Sequence, residues 1–215
     1  MKTPLLHLYL DYSRTWIVFD DIIPIMRKLI LASQSPRRKE LMEKCGLHFT
    51  VEAADIDETI DPAKDLREEV KRLAQGKAET VLRKHPQAVV VGSDTIVVID
   101  GEVLGKPTDE EDAAAMLRKL SGRTHQVMTG LCIVSSRRLF SDVSVSDVTF
   151  EYMDEDEIIS YVRSTEPMDK AGAYAVQGIA SRYIKEIRGD YYAIMGLPLS
   201  MVYETLKDTD WFKED

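Results

Sequence analysis

Residues 88–99 read AVVVGSDTIVVI, an apolar run with a carboxylate near its middle. A run of this length, rich in β-branched residues and followed by a turn signal, forms a buried strand. Ser93-Asp94-Thr95 interrupts it, and that interruption constrains the rest of the chain. A bare carboxylate is costly to bury, so Asp94 must be paired, hydrogen-bonded or functional, or must face solvent at a strand end. A catalytic carboxylate at a strand break is the sharper reading, and a solvated strand end the plainer one. Asp100-Gly101 then marks a hairpin turn, and GEVLGKP carries the returning strand.

The remaining pattern places elements on both sides of this strand. KLILA at 28–32 is a short apolar strand, followed by a tight loop and the helix RRKELMEKCG. Ser35 suits its N-cap, Pro36 its first turn and Gly46 its stop. A short strand is expected at 49–53, then the acidic loop ADIDET, then a helix from 66 to 84. A helix with an acidic first turn covers 109–120. Two long extended segments follow at 126–136 and 139–152, the second with an irregularity near Asp147. The spacing predicts a helix over 154–164 and a turn with a short strand over 172–177. A last hairpin is expected from 183–187 and 191–195, with a closing helix in LPLSMVYETL. Strands and helices mix without strict alternation, so the fold class is α/β (mixed), one elongated sheet flanked by helices.

The 215 residues carry 37 acids against 28 bases, a formal charge of −9. That balance disfavours general nucleic-acid binding. Cys45 and Cys132 make no disulfide framework and point to a reducing cytoplasm. Four scattered histidines lack metal-ligand spacing, and no apolar run is long enough to span a bilayer. Residues 1–25 differ in character from the rest and lack the pattern of a signal peptide. They are expected to be an extension, either dispensable or not native, preceding a single domain of two lobes over 26–215.

Two further local clusters could carry chemistry. Arg37, Arg38 and Lys39 occupy the first turn of a helix, where the macrodipole is already positive. Backbone N–H groups, two hydroxyls and two guanidiniums there could cradle a phosphate; a solvated turn paired with Glu40 and Glu43 is the alternative. Asp55, Asp57 and Glu58 offer hard oxygen donors for a divalent ion, or simply a solvated acidic loop. GEVLGKP is not a phosphate loop, since its glycine spacing is wrong and Pro107 follows Lys106. Lys106 stays available as a point charge beside the Asp94 strand.

Taken in order, LILASQSPRRKELM, VVGSDTIVVIDGEVLGKP, MLRKLSGRTHQVMTG, EPMDKAGAYAVQG and GDYYAIMGLPLS resemble the Maf family of nucleoside triphosphate pyrophosphatases. The resemblance runs from about Arg27 to Leu206. It implies an elongated mixed sheet with a nucleotide cleft, similar to inosine triphosphate pyrophosphatases, and hydrolysis between the α and β phosphates. It implies that Asp94 is the proton acceptor and that Lys106 acts beside it. Ser33, Arg37, Arg38, Lys77, Thr95 and Gln177 fall on substrate-binding positions, with Arg37, Thr95 and Gln177 setting base preference. Asp57 and Asp94 are implied as ligands of a divalent cation, Mg2+ or Mn2+, with Asp57 standing where relatives often carry Glu. DKAGAYAVQG is similar to the branch acting on dTTP and UTP. A carboxamide at Gln177 offers a donor and an acceptor to the O4 and N3–H edge of uracil or thymine. Alternatives are a 7-methyl-GTP pyrophosphatase of the same family and a non-catalytic regulator of septum formation. Family analogy also implies a homodimer, with no nucleic-acid or membrane partner.

Overall fold

The computed structural model describes residues 27–213, so the expected extension at 1–25 lies outside the described residues. Seven strands build one mixed sheet: β1 (Leu29–Leu31), β2 (Thr50–Val51), β3 (Val89–Ile99), β4 (Glu102–Leu104), β5 (Thr124–Val134), β6 (Leu139–Phe150) and β7 (Ile184–Arg188). Their order is β2-β1-β3-β5-β6-β7, with β4 also on β3. β1 runs parallel to β2 and β3, and the other pairings are antiparallel. The helices are α1 (Pro36–Glu43), α2 (Leu66–Lys84), α3 (Glu110–Leu120), α4 (Glu155–Val162), α5 (Tyr191–Met195) and α6 (Leu199–Leu206).

Strand alternation assigns β3 to two cores. Val89 and Val91 pack with Leu41 and Met42 of α1 and Val202 and Leu206 of α6. Val97 and Ile99 join Leu117 of α3 and Ile158 of α4 in the same half of the molecule. The even positions face α2: Val90 meets Ala74, Ala78 and Val81, while Ile96 and Val98 meet Val70. Side chains alternate across a strand with period two, so each helix layer takes one parity.

The two edges of β3 are not equivalent. One edge pairs with β5 from Val90 to Val98. On the other edge β1 pairs with Val89–Val91, and β4 pairs with Val97–Ile99. Between them, residues 92–96 have no ladder partner on that edge. The sheet is therefore split beside the polar triplet, and both faces of β3 are reachable there.

Close approach of α2 fixes one wall of the split. A Cβ added to Gly92 would lie 2.3 Å from the carbonyl oxygen of Ala74, and one added to Gly130 would lie 2.4 Å from that of Val70. Only glycine lets the helix backbone rest this near the sheet. The helix itself is well terminated: Asp65 caps it, Glu68 and Glu69 lie in its first turn, and Arg83 and Lys84 in its last.

Three expectations need correction. Residues 191–195 form a helix, not the second arm of a hairpin, because the Asp190 carboxylate accepts from the amides of Tyr192 and Ala193 and starts a helical turn. β7 pairs with β6 instead. Residues 172–177 contain no strand; short 3-10 turns at Glu166–Asp169 and Ala171–Ala173 lead into an irregular stretch. The β6 irregularity falls between Thr149 and Phe150, whereas Asp147 pairs regularly with Gln126 and Arg188. Cys45 and Cys132 are both free. No helix among the described residues is long and apolar enough to cross a membrane.

Candidate active site

The split in the sheet opens into a cleft of about 970 Å³, lined by Ser33, Arg37, Arg38, Lys77, Asp94, Thr95, Lys106 and Gln177. Eight of the nine residues singled out in the sequence thus meet in one place. Asp57 does not. It borders a second depression of about 480 Å³ with Lys71 and Arg72. Its carboxylate accepts from the amide and hydroxyl of Thr59, at 2.9 and 2.6 Å, which hold it below the usual carboxylate range. Its neighbour Glu58 lines the main cleft.

Strand parity sends Asp94 and Thr95 to opposite faces of the sheet. Asp94 points toward α2, where the Lys77 ammonium lies 2.6 Å from its Oδ1 and 2.7 Å from Glu58 Oε1. The Lys77 and Asp94 side chains are only 9% and 11% exposed, so this ion pair sits in a poorly solvated place. Here is the partner that a carboxylate inside an apolar strand requires. The close packing of α2 at Gly92 holds Lys77 above it.

Thr95 points the other way, into a directed chain of hydrogen bonds. Thr129 donates to the carbonyl of Ala193 at 2.7 Å, so its oxygen accepts from Thr95 at 3.0 Å. Thr95 in turn accepts from Arg38 Nη2 at 3.2 Å, and Arg38 Nε donates to the Gly196 carbonyl at 2.8 Å. Ser93 Oγ lies 2.9 Å from the carbonyls of Gly130 and Gly196. Burial pulls the Arg38 guanidinium below its ordinary value, while the Asp94 charge pulls it back up. A guanidinium stays cationic through such a shift.

The loop between β1 and α1 forms the adjoining wall. Ser33 Oγ accepts from the Ser35 amide, and Ser35 Oγ caps α1 by accepting from the Arg38 amide. No acidic residue lies in the first turn of α1. Its positive end therefore stands beside two guanidiniums at the carboxyl end of β1, an arrangement that suits an anion. Arg37 reaches across the mouth of the cleft to Asp169, at 3.4 Å. Burial works against the Asp169 charge, but Lys170 and Arg37 hold its carboxyl below the ordinary value.

Gln177 also lines the cleft, exposed, in the irregular stretch after Ala173. Tyr174, also in the wall, bonds His125 through its hydroxyl at 2.8 Å, and both rings pack edge-on against Phe150. Burial pushes His125 down to about 4, so it is neutral near pH 7.

Sequence reasoning gave no role to Thr129, Asp169 or Tyr174, and named Glu58 only as one donor of the acidic loop. Glu58 had a signal, since it adjoins Asp57 in the same acidic loop. Thr129 acts only through a cross-strand register that its surroundings in the sequence do not reveal.

The fold is that of a mixed α/β protein with a cleft through its sheet. The Staphylococcus aureus Ham1 protein has a similar fold, with a TM-score of 0.50 and 14% identity, covering 84% of this chain and 98% of that one. Residues 28–209 match the family described as Maf-like protein, and the chain belongs to that family. A relative from Geobacillus sp. strain WCH70, named dTTP/UTP pyrophosphatase, is 46% identical over 86% of this chain and 100% of its own length. A Shigella sonnei relative of the same name is 44% identical over 88% of this chain and 96% of its own.

Proposed function

We propose that this protein hydrolyses nucleoside triphosphates, dTTP and UTP foremost, to the monophosphate and pyrophosphate. The observation that carries the proposal is the meeting of Asp94, Lys77, Arg38, Arg37 and Lys106 in one cleft of an otherwise acidic protein. The names of the two relatives supply the substrate class.

Each residue then has a task its surroundings suit. Arg37, Arg38 and Lys106, with the start of α1, attract and orient the triphosphate. Asp94 takes a proton from the attacking water as the anhydride between the α and β phosphates breaks. Lys77, 2.6 Å from its Oδ1, keeps Asp94 aimed. Reactions of this type depend chiefly on positioning and charge stabilisation, so a nucleophilic side chain is not required.

The carboxylates also fit a divalent cation. Glu58 and Asp94 already share one cation, the Lys77 ammonium, and both offer the hard oxygens that Mg2+ or Mn2+ takes. We assign the role to Asp94 and Glu58 in place of Asp57, whose Oδ1 is engaged by Thr59 and which borders the other depression. Among the described residues no group of three His, Cys, Asp or Glu could hold a metal by itself. Phosphate oxygens of the substrate would supply the remaining donors. Bound there, such an ion offsets phosphate charge in the transition state.

Gln177 lines the same cleft, and the role assigned to it is contact with the base. Its amide matches the O4 and N3–H edge of thymine and uracil. A cytoplasmic place of action and a homodimer belong to the same proposal. Free thiols support the first, and the family resemblance supports the second. Product analysis tests the reaction: monophosphate and pyrophosphate in equal amounts are expected, whereas diphosphate and orthophosphate would overturn it. Sedimentation tests the dimer, and a particle of 24.4 kDa would remove it.

A further inference from the structure

Gln177 poses a mechanical problem. A residue that reads a base must be held still, yet no α-helix or strand occupies the stretch from Thr165 to Tyr183. Upstream, the Tyr174 hydroxyl is tied to His125. Downstream, the chain enters a 3-10 turn at Ile179–Tyr183 whose N-cap is Gly178, a residue with no side chain to satisfy the free amides.

Glu166 satisfies them from 13 and 14 residues away. Its Oε2 accepts from the Ile179 amide at 3.0 Å, and its Oε1 lies 3.4 Å from the Ala180 amide. The buried Tyr161 hydroxyl donates to the same Oε1 at 2.8 Å. Gly178 rests directly on this carboxylate: a Cβ there would come within 2.3–2.4 Å of its atoms. A carboxylate with several donors forms charge-assisted bonds, stronger than neutral ones, and here they fix the backbone immediately after Gln177.

We infer that Glu166 is a positioning residue for base recognition: its carboxylate clamps the chain behind Gln177 and sets where that amide meets the base. The inference rests on the reading of Gln177 given above. Glu166 does not line the cleft. Its removal should therefore alter which nucleotide is preferred without abolishing phosphate chemistry.

The chemistry of the clamp dictates the variants. Glu166→Gln exchanges one acceptor oxygen for an NH2 group that must then face N–H or O–H donors. Gly178→Ala thrusts a methyl group into the carboxylate at a position of negative φ, −98°. Tyr161→Phe removes one donor and spares the two backbone contacts.

The test is kcat/KM for dTTP, UTP, CTP and GTP with these variants, with Gln177→Ala and with the Glu166→Gln/Gln177→Ala double variant. Glu166→Gln and Gly178→Ala should each lower the preference for dTTP and UTP by about fivefold, mainly through KM, and Tyr161→Phe by less. The double variant should be no less selective than Gln177→Ala alone, because one residue acts through the other. If Gln177→Ala loses preference while Glu166→Gln and Gly178→Ala keep it, the clamp is refuted and the Gln177 reading stands. If Gln177→Ala keeps its preference, both fall together. Equal loss on every nucleotide in both clamp variants would make Glu166 merely structural and overturn the proposal. Should Glu166→Gln fail to fold, Gly178→Ala and Tyr161→Phe decide the matter.

Discussion

The two ends of the cleft are built on different principles. At the phosphate end, regular elements aim the side chains. Strand parity sends Asp94 and Thr95 to opposite faces, a helix start presents Arg37 and Arg38, and close helix packing sets Lys77 over Asp94. At the base end, short 3-10 turns and an irregular stretch hold Gln177, and long-range contacts from His125 and Glu166 hold that stretch. On the roles proposed for the two ends, charge chemistry and base selection should fail separately. Damage at the first end should affect all nucleotides alike, and damage at the second should change their ranking.

The largest expected effect strikes the phosphate end. Asp94→Asn keeps the size of the side chain but cannot accept the proton, so turnover should fall about 10³-fold for every nucleotide. Near-normal steady-state rates would remove Asp94 from the mechanism.

The next breaks the comparison by pH. His125 is held neutral by burial, with its value pushed down to about 4 from 6.5. Between those values the unfolded chain binds a proton that the folded chain does not, so stability rises with pH across that window. The contribution is complete above about 6.5 and lost as pH falls toward 4, on the order of 3 kcal/mol in all. His125→Gln should flatten this slope in urea unfolding at pH 7 and pH 4.5. An unchanged slope would show that His125 takes up its proton as freely folded as unfolded.

A smaller effect sharpens the role of packing. Gly92→Ala should cost about 1–3 kcal/mol, since the added methyl group meets the α2 backbone and pushes Lys77 off Asp94. Activity should drop on all nucleotides with their ranking intact, and a changed ranking would blur the division between the ends. A change confined to ranking belongs to Gln177→Ala: about tenfold loss of preference for dTTP and UTP, with modest change in rate on the poorest substrate. Equal losses across nucleotides would argue against base reading.

The same division explains what was legible in the sequence. Ser33, Arg37, Arg38, Asp94 and Thr95 announce themselves because they break the apolar pattern or the helix-charge rule of the elements that carry them. Lys77 and Gln177 came through the family resemblance, and the cleft contains both. The acidic loop at Asp57 was ambiguous because no regular element fixes its parity, so Glu58 could not be distinguished as the residue that enters the cleft. The expected hairpin at 191–195 failed because the Asp190 cap outweighs the strand propensity of its aromatic residues. Glu166 was invisible for a related reason: its partners are backbone amides far along the chain, and amides carry no sequence signature.

The most direct test of the central claim is pyrophosphate release by the wild-type chain with Mg2+ or Mn2+, across dTTP, UTP, CTP, ATP, GTP and 7-methyl-GTP. The account predicts turnover led by dTTP and UTP, with monophosphate as co-product and almost none from Asp94→Asn. Preference for 7-methyl-GTP would contradict the role given to Gln177, and no turnover with either metal would contradict the assignment of the cleft to phosphate chemistry.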